Sequence, residues 1–107
     1  MSRVVFYNDT SIPFFPTSNR IGIKLDDKGV AAPYAGEYVQ MDVARGQHRL
    51  ELSHFDVLYF SDEYILAIDD DRLFVRVYAA PLSTKFEVSR EMPNAFRDRF
   101  PSCSNRD

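Results

Sequence analysis

Several short segments of this sequence alternate apolar and polar residues, and this alternation limits the possible folds more than any other property of the chain. In residues 20–26, Ile21, Ile23 and Leu25 alternate with small or polar residues. A period of two places such side chains on one face of a β-strand. The same period recurs in two later segments, 38–43 and 47–53. Their apolar positions are Val39, Met41 and Val43 in the first, and Leu50 and Leu52 in the second.

Further strands and the turns between them follow from composition. Residues 3–8, 72–79 and 85–89 are rich in β-branched and aromatic residues and are predicted to be strands. The runs 56–60 and 64–68 are predicted to form one bent strand or two. Turn residues favour a loop over 9–19, a turn over 26–29 with Gly29 at a positive φ, and a charged turn over 69–71.

The two alternating segments 38–43 and 47–53 are separated by a short connection that contains Gly46. This arrangement is typical of a β-hairpin. No long helical pattern separates the strands, which argues against a βαβ fold. The predicted fold is therefore mainly all-β, an antiparallel β-sandwich or open barrel of about seven short strands.

The C-terminal region has a different pattern. Pro93 suits the first turn of a helix, and Phe96 and Phe100 are four residues apart on one helical face. We therefore predict a short C-terminal helix over residues 93–100, ended by Pro101. Residues 1–101 are predicted to form a single domain, and residues 102–107 a flexible tail.

Length and charge limit the classes of function. The 107 residues are 45% hydrophobic, enough for one domain with one core. The net charge of −3 argues against a nucleic-acid partner, because such proteins present basic patches to phosphates. No segment approaches the roughly 20 apolar residues of a membrane span. The lone Cys103 and the absence of a signal-like segment predict a cytoplasmic protein, or a periplasmic one if a leader was removed.

The stretch 36–52 resembles a hairpin of PEGA-type surface modules and of a family of small bacterial β-sandwich domains of unknown function, many of them lipoproteins. Gly36, Tyr38, Gly46, His48 and Leu50 match its pattern of Gly-x-Tyr, an alternating strand and Gly-x-His-x-Leu. Arg45 stands where the family has Pro, and no lipobox cysteine precedes the domain. The resemblance implies a sandwich fold with a binding or structural role, and it implies no catalytic residues.

Catalytic and metal chemistry find little support in the sequence. His48 and His54 lie about 20 Å apart on a straight strand, too far for one zinc ion, so His48 is predicted instead to cap the hairpin by hydrogen bonding. The acidic run 69–71 lacks the ligand spacing of an EF-hand. Ser53 and His54 point to opposite faces of a strand, and Cys103 lies in a polar tail. We predict no enzyme activity, no metal and no cofactor.

Binding features are more prominent. Phe14 and Phe15 lie between two prolines in a loop, where exposed aromatics would contact a partner, or one ring would plug the end of the sandwich. The first hypothesis is thus a non-catalytic module that binds another protein or has a structural role. Its candidate contacts are Phe14, Phe15, Asp69, Asp70 and Asp71.

Two alternatives remain. A small inhibitor or immunity-type protein would use Asp62, Glu63 and the acidic run 69–71 against a basic partner enzyme. A module for small molecules or sugars would stack them on tyrosines, with Tyr34, Tyr38, Tyr59 and Tyr78 as candidates. Arg20, Arg72 and Arg76 form either a basic strip or cross-strand ion pairs. An unpaired edge strand, with residues 72–79 as the candidate, could support a homodimer.

Overall fold

The computed structural model describes residues 1–10, 20–56, 58–80 and 83–93. Within these ranges the chain forms eight β-strands and no helix. In order they are β1 (Ser2–Asn8), β2 (Gly22–Leu25), β3 (Lys28–Ala31), β4 (Tyr38–Val43), β5 (Gly46–Asp56), β6 (Leu58–Ile68), β7 (Arg72–Ala80) and β8 (Ser83–Ser89).

The strands form two four-stranded sheets that pack against each other. The first sheet has the order β4-β1-β7-β8, and the second has the order β3-β2-β5-β6. Neighbouring strands are antiparallel except β1 and β7, which are parallel. The prediction of an all-β sandwich is therefore confirmed.

The core lies between the sheets and follows from the alternation in the sequence. Ile21, Ile23 and Leu25 are all buried, as their spacing predicts. The same holds for the apolar positions of β4 and β5, with Met41 only partly buried. The largest wholly buried side chains of this core are Phe6, Ile21, Ile23, Leu50, Leu52, Leu66, Ile68 and Leu73.

A second, smaller apolar cluster lies on the other face of the first sheet. Val5, Tyr7 and Phe74 are buried there, with Tyr38 and Met92 packed against them. The central strand β1 thus has apolar contacts on both faces, which explains why five consecutive residues of it are buried. Met92 lies three residues beyond the end of β8, so the chain contacts this face soon after it leaves that strand.

The predicted hairpin of residues 38–43 and 47–53 is wrong. β4 pairs with β1 in the first sheet, whereas β5 pairs with β2 and β6 in the second. The connection at Ala44 and Arg45 therefore crosses from one sheet to the other as a β-arch. A hairpin and an arch show the same alternation in sequence. In an arch the two strands lie on opposite sides of one core, and each directs its apolar side chains inward.

The turn between β2 and β3 also differs from expectation. The two residues with positive φ are Asp26 (51°) and Asp27 (71°), and Gly29 is not among the residues with positive φ. Two left-handed residues between Leu25 and Lys28 are what a type I′ hairpin turn requires. Aspartate tolerates this conformation better than most residues, so glycine was the wrong residue to expect there.

The run 56–60 is divided between two strands: Asp56 ends β5, and residues 58–60 belong to β6 together with the run 64–68. Asp56 is opposite Leu58, so the chain reverses between them and the run contains the tip of a long hairpin of β5 and β6. The predicted helix over 93–100 and the tail 102–107 lie outside the described residues, except for Pro93. In the described part of the chain, no helix has the length and apolarity to cross a membrane.

Candidate functional site

The acidic turn of residues 69–71 connects β6 to β7 and is occupied by ion pairs. A carboxylate oxygen of Asp69 lies 2.8 Å from Arg90 Nη2, and one of Asp70 lies 3.5 Å from Arg90 Nε. Asp71 is hydrogen-bonded to Arg45. The predicted contacts Asp69, Asp70 and Asp71 thus lie together on the surface, but two arginines offset their charge.

The same end of the sandwich collects further ion pairs, and we call it the charged end. Arg49 lies 3.0 Å from Asp27, and Arg3 lies 3.8 Å from Asp42. Both partners of each ion pair are exposed, so each pair stabilises the fold by about 0–1 kcal/mol. The charged end consists of Arg3, Asp26, Asp27, Asp42, Arg45, His48, Arg49, Asp69, Asp70, Asp71 and Arg90, and its two signs nearly balance.

His48 links two turns at the charged end. Its Nδ1 lies 2.6 Å from Asp26 Oδ2, and its Nε2 lies 2.7 Å from the carbonyl oxygen of Ala44. A carboxylate and a carbonyl oxygen only accept hydrogen bonds, so both ring nitrogens donate and the imidazolium is favoured. The predicted role of His48 as a hydrogen-bonding cap is confirmed, although it caps an arch rather than a hairpin.

The bond between His48 and Asp26 shifts the titration of both groups. The hydrogen bond to Asp26 raises the pKa of His48 above its ordinary value, and the bond to Ala44 adds to this. The hydrogen bond from His48 lowers the pKa of Asp26, aided by the Arg49 backbone N–H. These shifts reflect a structural ion pair, because each partner is fully engaged in holding the turns together.

A buried polar cluster joins the two sheets where β6 and β8 meet, and we call it the seam. Thr84 on β8 is wholly buried, and its hydroxyl lies 2.6 Å from His54 Nδ1. The Asp62 carboxylate accepts a hydrogen bond from the backbone N–H of Thr84 at 2.8 Å, and the Tyr64 hydroxyl donates to the carbonyl oxygen of Thr84 at 2.6 Å. Side chains of β6 thus bond the backbone N–H and C=O of Thr84, the groups that a neighbouring strand would bond in a continuous sheet.

The seam resembles a catalytic group in its residue types but not in its accessibility. A nucleophilic hydroxyl beside a histidine requires access for a substrate, and Thr84 is 0% exposed. Burial also raises the pKa of Tyr64. The arrangement is that of a structural cluster.

His48 and His54 bond different elements, and no group of three or more metal-ligating side chains occurs among the described residues.

The arginines of the predicted basic strip have partners of their own. Arg76 lies 2.6 Å from Asp9 and 3.3 Å from Glu87, and its guanidinium lies 4.2 Å from the centre of the Tyr78 ring. Arg72 lies over Phe74. For Arg76, the interpretation as an ion-pair partner holds.

A more promising surface is formed by Tyr34 and Arg20, which we call the Tyr34 platform. Tyr34 is 48% exposed, and the guanidinium of Arg20 lies 5.1 Å from the centre of its ring. Arg20 Nε also donates to the carbonyl oxygen of Ala32 at 2.9 Å. An arginine held over an exposed aromatic ring is an arrangement that protein interfaces favour.

The turn that carries Tyr34 is held in place by several hydrogen bonds. Glu37 N–H donates to the Tyr34 carbonyl at 3.0 Å, and the Glu37 carboxylate accepts the Tyr34 N–H at 2.9 Å. Gly36 has a φ of 86°, which the third position of a type II turn requires. The buried Asn8 binds Pro33 through its side chain and Gly36 through its carbonyl.

Phe14 and Phe15 lie outside the described residues. The strands on either side of them show only where their connection starts and ends: β1 ends at Asn8, and Arg20 leads into β2. Both points adjoin the Tyr34 platform, at the end of the sandwich opposite the charged end.

The tyrosines proposed as a stacking surface do not share one face. Tyr34 lies beside Arg20, Tyr38 packs on the cluster of Val5, Tyr7 and Phe74, and Tyr78 lies under Arg76. The side chain of Tyr59 is outside the described residues.

The sequence analysis named Tyr34 and Arg20 in separate hypotheses but did not predict that they lie together, and it did not predict the seam. A glycine two positions after Tyr34 was a usable signal for a type II turn. The seam had no such signal, because its residues are separated in sequence and meet only when the sheets pack.

Comparison of the chain with known protein families, curated proteins and solved structures finds no match. The resemblance to PEGA-type modules therefore stays a prediction.

Proposed function

We propose that this domain is a non-catalytic module that binds another protein, and that the Tyr34 platform is its central contact. The observation that carries the proposal is a half-exposed tyrosine on a turn held by hydrogen bonds, with an arginine stacked on its ring. Tyrosine and arginine are over-represented among the residues that dominate binding energies. A preformed turn also reduces the entropy lost on binding.

The adjoining loop supports this location. Phe14 and Phe15 belong to a connection whose two ends adjoin the platform, so we propose them as additional contacts. The acidic turn supports the inhibitor alternative less well, because a basic partner would meet carboxylates that Arg45 and Arg90 already offset.

The test uses three purified proteins: the parent, Tyr34→Ala and, as a matched control, Ile65→Ser. Ile65 is also a large exposed apolar residue, but it lies on β6. Extract of the source cell is passed over each protein, and a retained protein is then purified and its affinity measured by calorimetry. A central contact of this kind contributes about 2 kcal/mol, so we expect Tyr34→Ala to weaken binding about 30-fold.

Arg20→Ala is expected to weaken binding in the same direction, and Ile65→Ser to leave it unchanged. Circular dichroism and the melting temperature establish that each variant is folded. Equal affinity of the parent and Tyr34→Ala for the purified partner would exclude the platform. If no protein binds the parent at low or moderate salt, the proposed function itself is rejected.

A further inference from the structure

The four outer strands of the sandwich differ in how well their edges are protected. β6 and β8 face each other across the seam, where side chains of Asp62 and Tyr64 bond the backbone of Thr84. β3 has only four residues, and its pairing with β2 has a register shift. β4 has six residues that pair with β1 in unbroken register, so of the two outer strands that lie away from the seam it has the more regular edge.

The pairing with β1 determines which backbone groups of β4 point outward. The N–H of Asn8 donates to the carbonyl of Glu37, which sets the alternation of the ladder. Odd-numbered residues of β4 therefore direct their N–H and C=O groups toward β1, and Gln40 and Asp42 direct theirs away from it. On its other side, β1 bonds β7 through the backbone groups of its odd-numbered residues. The Asp9 N–H, which donates to the Val77 carbonyl, continues this pattern.

We propose that β4 pairs antiparallel with β4 of a second copy of this chain, about a two-fold axis at Gln40. Edge strands of this kind pair readily, and most homodimers have two-fold symmetry. The pairing would join the first sheets of two sandwiches into one eight-stranded sheet. The proposal concerns a different surface from the Tyr34 platform and does not depend on the proposed function.

The side chains of β4 are self-complementary in this register. Gln40 lies opposite Gln40 of the second copy, where the two residues exchange a pair of backbone hydrogen bonds. On the core side, Val39 lies opposite Met41, which is only partly buried within one chain. On the outer side, Tyr38 lies opposite Asp42, so no two like charges oppose each other. A register centred on Asp42 would instead place two carboxylates opposite each other.

β7 was the predicted candidate for such pairing, and the structure excludes it. β7 lies between β1 and β8, and both of its edges are occupied.

The first experiment is disulfide trapping in full-length chains that carry Cys103→Ser. The Cα atoms of a hydrogen-bonded antiparallel pair are about 5.5 Å apart, within the range of a disulfide. Gln40→Cys is therefore expected to form a covalent dimer under mild oxidation. Two control variants are Asp42→Cys, whose equivalents would be roughly 13 Å apart along the strands, and Lys24→Cys on the exposed face of β2.

Trapping of Gln40→Cys well above both controls supports the proposal, and trapping no greater than that of Lys24→Cys overturns it. A second measurement does not use cysteine. Sedimentation velocity over a concentration series is expected to show a dimer for the parent and for Gln40→Thr, and a monomer for Gln40→Pro. Proline removes an N–H that points away from β1, so Gln40→Pro should keep the fold.

The melting temperature of Gln40→Pro checks that expectation. If the parent sediments as a monomer at every concentration, the dimer is rejected whether or not the Tyr34 platform binds a partner.

Discussion

The imidazole of His48 bridges two turns that are far apart in sequence, with its Nδ1 2.6 Å from Asp26 Oδ2. Asp26 belongs to the turn between β2 and β3, and the Ala44 carbonyl that accepts the other ring nitrogen belongs to the arch between the sheets. This one side chain therefore ties a hairpin within one sheet to the crossing between both sheets.

The ion pair of His48 and Asp26 makes the free energy of unfolding depend on pH within a defined range. The pKa of His48 is raised above 6.5, so its contribution to stability is complete below pH 6.5 and is lost as pH rises through the raised pKa. The pKa of Asp26 is lowered below 3.8, so its contribution is complete above pH 3.8 and is lost as pH falls through the lowered pKa. Both contributions are present in full between these values.

We therefore expect Asp26→Asn to destabilise the domain most between about pH 4 and pH 6.5, and less at pH 9. Asparagine tolerates the left-handed conformation, so the variant removes mainly the charge. Urea unfolding at pH 5.5 and pH 9 measures the difference, and proton NMR follows the titration of His48. The pKa of His48 should fall in Asp26→Asn and stay raised in Asp27→Asn. A titration of His48 that is the same in all three proteins would contradict the bridging role.

The type I′ turn allows a test of backbone strain. Asp27 has a φ of 71°, which glycine adopts freely and alanine does not. Asp27→Gly and Asp27→Ala both remove the ion pair with Arg49, so their difference isolates the backbone. We expect Asp27→Gly to be more stable than Asp27→Ala by about 1 kcal/mol in urea unfolding. Equal stabilities would mean that the turn is not left-handed in solution.

Gly46 begins β5 immediately after the arch, with a φ of 120°. A methyl group there would contact nothing within 4 Å, so any cost of Gly46→Ala comes from the backbone alone. We expect a loss of about 1–3 kcal/mol. Gly29→Ala is the matched control, because that position is equally open and has no positive φ. Thermal unfolding compares the two, and a Gly46→Ala variant as stable as Gly29→Ala would refute the arch conformation.

The seam predicts a specific role for one hydroxyl group. Tyr64→Phe removes the donor to the Thr84 carbonyl but keeps the ring, which packs edge-on against Phe86 with ring centres 4.9 Å apart. We expect a loss of about 1 kcal/mol, or more if the carbonyl stays buried without a partner. Tyr34→Phe removes a hydroxyl from a half-exposed ring and should change stability little. Chemical unfolding at neutral pH provides both values, and no loss in Tyr64→Phe would argue against the seam.

The alternation in the sequence predicted most of the strands and the buried faces of the alternating segments, but it assigned 26–29 to a turn although β3 begins at Lys28. The alternation of Ile21, Ile23 and Leu25, and that of Leu50 and Leu52, was sufficient because a period of two reports burial directly. The candidate contacts were less predictable. Asp69 and Asp71 could be identified as a surface turn, but not as groups neutralised by Arg90 and Arg45, which follow or precede them by 20 or more residues.

The pairing of the strands follows from the tertiary structure and not from the local sequence. A buried face looks the same whether its strand continues in one sheet or crosses to the other, so the alternation could not distinguish a hairpin of β4 and β5 from an arch. The parallel pairing of β1 with β7, the bond of His48 to Asp26 and the seam at Thr84 each join residues that are distant in the chain. Such contacts depend on how two sheets pack around one core, and no local pattern of residues encodes that choice.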